Sequence, residues 1–156
     1  MSDPTVHIRP YRQQDRPAAL ALAARLEIGV APWRDPTAVG VAVAGWVRGS
    51  LDAADTGDRT VLVAFTDQGL VGLVTVGRRA HFTGEVDAYV GELMVAEGAQ
   101  RRGIGTRLVR AAEQWARSQG LRHLTLETGA ANGTARAFYA ALGYAEEDVR
   151  LTRTIG

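Results

Sequence analysis

The sequence predicts an α/β domain with a mixed sheet and helices on both faces, and three observations carry that expectation. Strand-like runs alternate with amphipathic stretches along the whole chain. The middle runs are joined as a hairpin, whereas the last ones are separated by helical stretches, which mixes antiparallel with crossover connections. The 156 residues are 46% apolar and 22% charged, an ordinary globular balance, and the length suits one domain, placed here at residues 1–156.

The elements follow in order. Thr5 to Arg9 alternates apolar and polar residues and reads as a strand. Asp15 is placed to cap a helix from about Arg16 to Leu26, with Pro17 in its first turn. Gly29 to Asp35 is a loop, and Thr37 is expected to cap a second helix through about Leu51. Thr60 to Phe65 and Leu70 to Gly77 form a hairpin around Thr66-Asp67-Gln68-Gly69. Glu85 to Val95 is a long strand, and Gln100 to Gln119 is a helix with Ile104, Leu108, Ala111, Ala112 and Trp115 at helical spacing, stopped by Gly120. Arg122 to Glu127 is a strand, Asn132 to Leu142 a short helix ended by Gly143, and Tyr144 to Thr154 a final strand.

Composition narrows the function classes. A formal net charge of +1 gives no bulk attraction to nucleic acid or membrane. The chain has no cysteine, which removes disulfides, thiolate metal sites and a cysteine nucleophile. His81 and His123 lack the carboxylate–histidine spacing of a metal site, and no metal is expected. No apolar run approaches the ~20 residues that span a bilayer, and Met1-Ser2-Asp3-Pro4 has no signal-peptide pattern, so a cytoplasmic protein is expected.

The most informative segment runs from Val95 to Thr106 and links a strand to an amphipathic helix. Gly103 and Gly105 remove side chains where a ligand must approach the backbone. The first N–H groups of a helix have no intrahelical acceptor, and with the helix dipole they form an anion site suited to a pyrophosphate. Arg101 and Arg102 add positive charge. A dinucleotide fingerprint fails because its third glycine would fall at Leu108, and a Walker loop fails because no Gly-Lys-Ser/Thr follows.

Gln100-x-x-Gly103-x-Gly105, placed after Val95, resembles the acyl-CoA-binding motif Gln/Arg-x-x-Gly-x-Gly/Ala of the GNAT N-acetyltransferase superfamily. Asn132-x-x-Ala135-x-x-Phe138-Tyr139-x-x-x-Gly143-Tyr144 is similar to a second block of that family, and Ile8-Arg9-Pro10-Tyr11 is similar to its usual start. The resemblance covers nearly the whole chain. It departs at Glu97, where many members carry proline. It implies a GNAT-like fold with a central, mostly antiparallel sheet, and acetyl-CoA as co-substrate held by Gln100, Arg101, Arg102, Gly103, Ile104, Gly105 and Thr106. The backbone of Leu93, Met94 and Val95 would hold the pantetheine arm and polarise the thioester carbonyl. Tyr139 would protonate the departing thiolate, and Asn132 would cap its helix and contact the cofactor arm.

Acyl transfer to an amine also needs a proton acceptor, because an alkylamine with a pKa near ~10.4 is protonated at neutral pH. Glu92 is the carboxylate in place for that role, with Glu85, Asp87 and Glu127 as rivals. Strict alternation sets Glu85 and Asp87 on the face opposite Glu92 if no bulge intervenes, and a bulge is expected in this strand. Trp33, Trp46 and the acidic run Asp52, Asp55 and Asp58 lie in the region expected to face the acceptor. They point to an aminoglycoside-like or polyamine-like small molecule, with a protein lysine or N-terminal amine left open. A non-catalytic acyl-CoA sensor is the alternative of another class, and a homodimer stays open.

Overall fold

The structure of the protein is a computed structural model and describes residues 5–54 and 56–156. The expectations placed on Met1 to Pro4 and on Asp55 lie outside the described residues. Five strands, β1 (His7–Pro10), β2 (Arg59–Thr66), β3 (Gly69–Ala80), β4 (Val86–Val95) and β5 (Leu124–Leu126), form one sheet in sequence order. The first three pairings are antiparallel, and β4 pairs β5 in parallel. Four α-helices accompany them: α1 (Arg16–Ala21), α2 (Pro36–Asp52), α3 (Ile104–Ser118) and α4 (Gly133–Ala141).

The sheet has apolar residues on both faces because each face carries its own helix layer. On one face α3 lays Ile104, Leu108, Ala112 and Ala116, each four residues from the next, into a cluster with Val74, Val76, Ala88 and Val90. On the other, Ala19 of α1 and Val47 and Leu51 of α2 pack with Val61, Val63, Leu73 and Met94. Each fully buried Leu or Val stabilises the domain by roughly 1.5–3 kcal/mol relative to exposure.

One irregularity in the sheet positions the site. Val74 stands opposite Leu93, but Val76 stands opposite Val90, so Thr75 faces two residues, Gly91 and Glu92. This is a β-bulge in β4. The extra residue reverses the alternation, so Asp87 and Tyr89 before it share a face with Glu92 and Met94 after it. Strict alternation therefore misassigns Asp87, which lies on the α2 side together with Glu92.

Several boundaries differ from the sequence expectation, each for a local reason. Asp15 makes no side-chain cap on α1; its carboxylate takes the Arg12 N–H (2.8 Å) and both ends of the Arg9 guanidinium (2.8 and 2.9 Å). The first helix stops at Ala21 and tightens into a 3-10 turn over Ala23–Glu27, a common form of helix end. Thr37 does not cap α2. Asp35 does, accepting the Ala38 N–H at 2.8 Å, with Pro36 in the first turn. The third helix begins at Ile104 rather than Gln100, because Arg101 (φ 64°) and Gly103 (φ 73°) are left-handed and a right-handed helix cannot run through them. The final strand over Tyr144 to Thr154 is not formed. From Ala145 onward the chain is exposed and joins no ladder, and β5 pairs only with β4.

Candidate active site

The parallel ladder between β4 and β5 ends where Val90 meets Leu126, while β4 runs on to Val95. Past the bulge, the outer edge of β4 therefore has no neighbouring strand. The N–H groups of Glu92 and Ala96 turn toward β3, to Thr75 Oγ1 (2.9 Å) and to the Val71 carbonyl (2.8 Å). Alternation then turns those of Leu93 and Val95 to the open edge, with Met94 between them directed at β3. The Val95 carbonyl points outward as well, and takes a hydrogen bond from Nε of Arg25 (3.1 Å). The result is a strip of strand backbone free to pair with an extended, amide-bearing ligand arm.

That strip leads to the start of α3. A short 3-10 turn over Glu97–Ala99 buries Ala99 and leaves Glu97 and Gln100 exposed. Gly103 then stands at the N-cap with φ 73°, a conformation that glycine adopts without cost, and no side chain caps the helix. The first N–H groups of α3, from Ile104 to Thr106, lack intrahelical acceptors and face outward beside exposed Arg101 and Arg102. A Cβ on Gly103 would meet nothing within 4 Å, so the space above it is open. Gly105 has a second reason for its identity: a Cβ there would lie 3.3 Å from Phe138 Cζ, so its bareness seats α4 against α3.

Glu92 lies on the opposite face, under α2. It is 6% exposed and has no cationic partner among the described residues. The Ser50 hydroxyl donates to its Oε2 (2.8 Å), and the Thr75 hydroxyl donates to the same oxygen. Gly91 makes room for this arrangement, since a Cβ on it would stand 2.9 Å from Thr75 Oγ1. Ser50, Thr75 and Gly91 line a cavity of about 270 Å³ together with Arg59, Val61, Gly77, Arg79 and Tyr89. The carboxylate is thus held by two hydroxyls that line the cavity, and lies directly behind them.

Tyr139 lies on α4 with its ring edge-on to Phe138 (5.1 Å) and Tyr144 (5.8 Å). Burial pushes its phenol up to about 12, so it stays protonated far above neutral pH. Asn132 caps α4 by accepting the Ala135 N–H (3.0 Å), and its amide donates to the Ile28 carbonyl (3.4 Å), tying the α1–α2 connection to the start of α4.

The rival carboxylates are otherwise engaged. Asp87 is buried beside His123 Nδ1 (3.6 Å) and Thr125, Glu127 stands 3.6 Å from Arg79, and Glu85 takes a hydroxyl from Thr83. Trp33 and Trp46 are largely exposed and anchor no helix. Of the acidic run's described members, Asp52 pairs with Arg16 at 2.8 Å and Asp58 is exposed, and neither lines the cavity. No cluster of three metal-ligating side chains occurs among the described residues. Sequence reasoning passed over Arg25, Ser50, Thr75 and Gly91.

This combination, a strand parting from its parallel neighbour and leading into an uncapped helix, is suited to an extended ligand ending in a pyrophosphate. The model of the acetyltransferase (GNAT) family matches residues 28–144, and the chain belongs to that family. It is 35% identical over 71 residues to an aminoglycoside N(6')-acetyltransferase type 1 of Serratia marcescens, over 44% of this chain. The chain spans about half (49%) of the length of that relative. Among solved structures, it resembles a PaiA N-acetyltransferase from Thermoplasma acidophilum in complex with coenzyme A, with TM-score 0.76 and 17% identity, covering 94% of this chain and 93% of the other. It also resembles an aminoglycoside 6'-N-acetyltransferase from Acinetobacter haemolyticus, with TM-score 0.71 and 18% identity, covering 96% and 99%. At these identities the likeness to solved structures is one of fold. No helix among the described residues is long and apolar enough to cross a membrane.

Proposed function

We propose that the protein moves the acetyl group of acetyl-CoA onto a primary amine of a small molecule by direct attack in a ternary complex. One observation carries this reading. β4 offers unpaired backbone to a cofactor on its outer edge and, one residue before that strip, holds Glu92 toward a cavity on the α2 side. Donor and acceptor would then approach the same point of the strand from opposite faces. Leu93 and Val95 would bind the pantetheine arm, and one outward N–H would polarise the thioester carbonyl. Gln100 to Thr106 would hold the pyrophosphate.

Glu92 would accept the ammonium proton, directly or through water. The freed amine would attack the carbonyl carbon, the C–S bond would break, and the second proton shed by the amine nitrogen would pass to the departing sulfur, to which Tyr139 would donate a hydrogen bond. The phenol, raised to about 12, is a weaker acid than a thiol near ~8.5. Its contribution would therefore be stabilisation of sulfur charge as it grows, with the proton retained or shared. An acyl-enzyme is not part of the scheme. The chain has neither cysteine nor lysine, so no side-chain thiol or amine stands ready to carry the acetyl group.

The name of the Serratia relative supports an amino sugar as the first acceptor to try, while Asp52, already paired with Arg16, lends a polyamine no support. We also propose a cytoplasmic setting and pairing with a second copy through the exposed segment after Tyr144, where Val149, Leu151 and Ile155 have no cover. The test of activity is a panel of aminoglycosides, polyamines, amino acids and lysine peptides, read as thiol release from acetyl-CoA. Release with small amines and not with peptides supports the proposal. Peptides alone would make the protein a protein acetyltransferase, and acetyl-CoA binding with no release would make it a sensor.

A further inference from the structure

We infer that the acceptor carries an anionic group as well as its amine, and that Arg59 binds this group while Glu92 receives the amine. The inference rests on the transferase reading above and names the substrate class of the same cavity. Three arginines contribute to the cavity, Arg59, Arg78 and Arg79, and no carboxylate among the described residues lines it; Glu92 lies directly behind its lining, taking hydrogen bonds from the lining hydroxyls of Ser50 and Thr75.

The three arginines are not equivalent. Arg78 sends its guanidinium away, to the carbonyl of Gln119 at the end of α3 (3.5 Å). Arg79 is stacked over the Tyr89 ring (4.2 Å) and paired with Glu127 (3.6 Å), so it forms a wall whose charge is already met. Arg59 has no acidic partner among the described residues. It opens β2 opposite Gly77, whose missing side chain leaves room beside it, since a Cβ there would stand 3.0 Å from Arg59 Cβ.

The sheet sets the spacing. Thr75, which holds Glu92, and Gly77, which faces Arg59, are two residues apart on β3 with their side-chain positions on the same face, about 7 Å along the strand. One end of the cavity is therefore backed by the Glu92 carboxylate and the other is cationic, at a separation that a short amino acid or aminoalkyl phosphate spans. A polyamine, or an amino sugar that carries further amines and no anionic group, would bring a cation against Arg59, and such like-charge contact is an effective means of rejection, so an amino sugar acceptor would be one that bears an anion.

The experiment compares kcat/KM for acceptors that share an amine and differ at the far end. It uses 4-aminobutyrate and 6-aminohexanoate, O-phosphoethanolamine, the corresponding amides or alcohols, and diamines of matching length. The anionic acceptors should exceed their neutral counterparts by roughly tenfold or more, and the diamines should be poorest. The carboxylate and phosphate arms tell which anion the site takes. Arg59→Gln should shrink the preference by roughly 10- to 100-fold, chiefly through KM, and Arg59→Glu should turn it toward the diamines. Melting temperatures near wild type would separate this from a packing effect. Equal use of charged and neutral acceptors, a preference for diamines, or a preference that survives Arg59→Gln would overturn the inference and leave the transferase reading standing. Thiol release with no amine in any arm would instead overturn the transferase reading, and this inference with it.

Discussion

Glu92 is a buried carboxylate supported by two hydroxyls and, among the described residues, by no cation, and burying a charge without a cationic partner is costly. Glu92→Gln keeps the size and most of the hydrogen bonding while removing the base. Turnover on the identified amine should fall by roughly 10²-fold at neutral pH and recover as pH rises and free amine becomes available. A rate near wild type across pH would assign proton removal to water or another group. Tyr139→Phe keeps the ring contacts with Phe138 and Tyr144 and removes only the donor. It should lower kcat by roughly 10²-fold with little change in acetyl-CoA affinity. Because the phenol titrates at about 12, the wild-type rate should show no alkaline loss from this group through pH 10. Full turnover in the variant would make Tyr139 a packing residue. Both residues were legible in the sequence, one from a family block and one from its distance to the glycine turn. Their supports, Ser50 and Thr75, were not, because they come from α2 and β3 and meet Glu92 only after the sheet has formed.

At the scale of elements, turn chemistry carried most of what could be read and strand irregularity most of what could not. The helix after the glycine turn was visible from its apolar spacing, but its start was misplaced, since the left-handed backbone of Arg101 has no sequence signature. The bulge at Gly91 and Glu92 reversed the face of Asp87, which no alternation rule recovers once two residues stand opposite one. The link between β1 and α1 makes a different prediction. The Arg9 guanidinium holds the buried Asp15 carboxyl below the usual carboxylate range, against the opposing effect of burial, with help from the Arg12 N–H. A carboxylate depressed in the folded state adds stability above its unfolded pKa of ~3.9, and that stability is lost as pH falls through the folded value. Asp15→Asn should therefore lower the melting temperature at pH 7 and flatten its dependence on pH below about 4. An unchanged acid limb in the variant would show that Asp15 has no part in acid unfolding.

At the scale of the molecule, two layers of helix cover a sheet whose last strand is short and whose chain end has no place on it. Val149, Leu151 and Ile155 are exposed, Leu151 and Ile155 at 89%. If a second copy covers them, wild type should run at twice the chain mass in sedimentation, and Leu151→Asp, which disturbs no contact within one chain, should run at one. A wild-type monomer at high concentration would contradict that pairing. The central claim is direct transfer from acetyl-CoA to an amine bound on the other side of β4. Its most direct measurement follows free thiol, acetylated amine and intact protein mass in the same reaction. The predicted result is thiol and acetylated amine in equal amounts, no thiol without amine, and a protein mass that never changes. Acetyl-CoA bound with no amine-dependent thiol, or a protein that gains an acetyl group which a later amine removes, would contradict it.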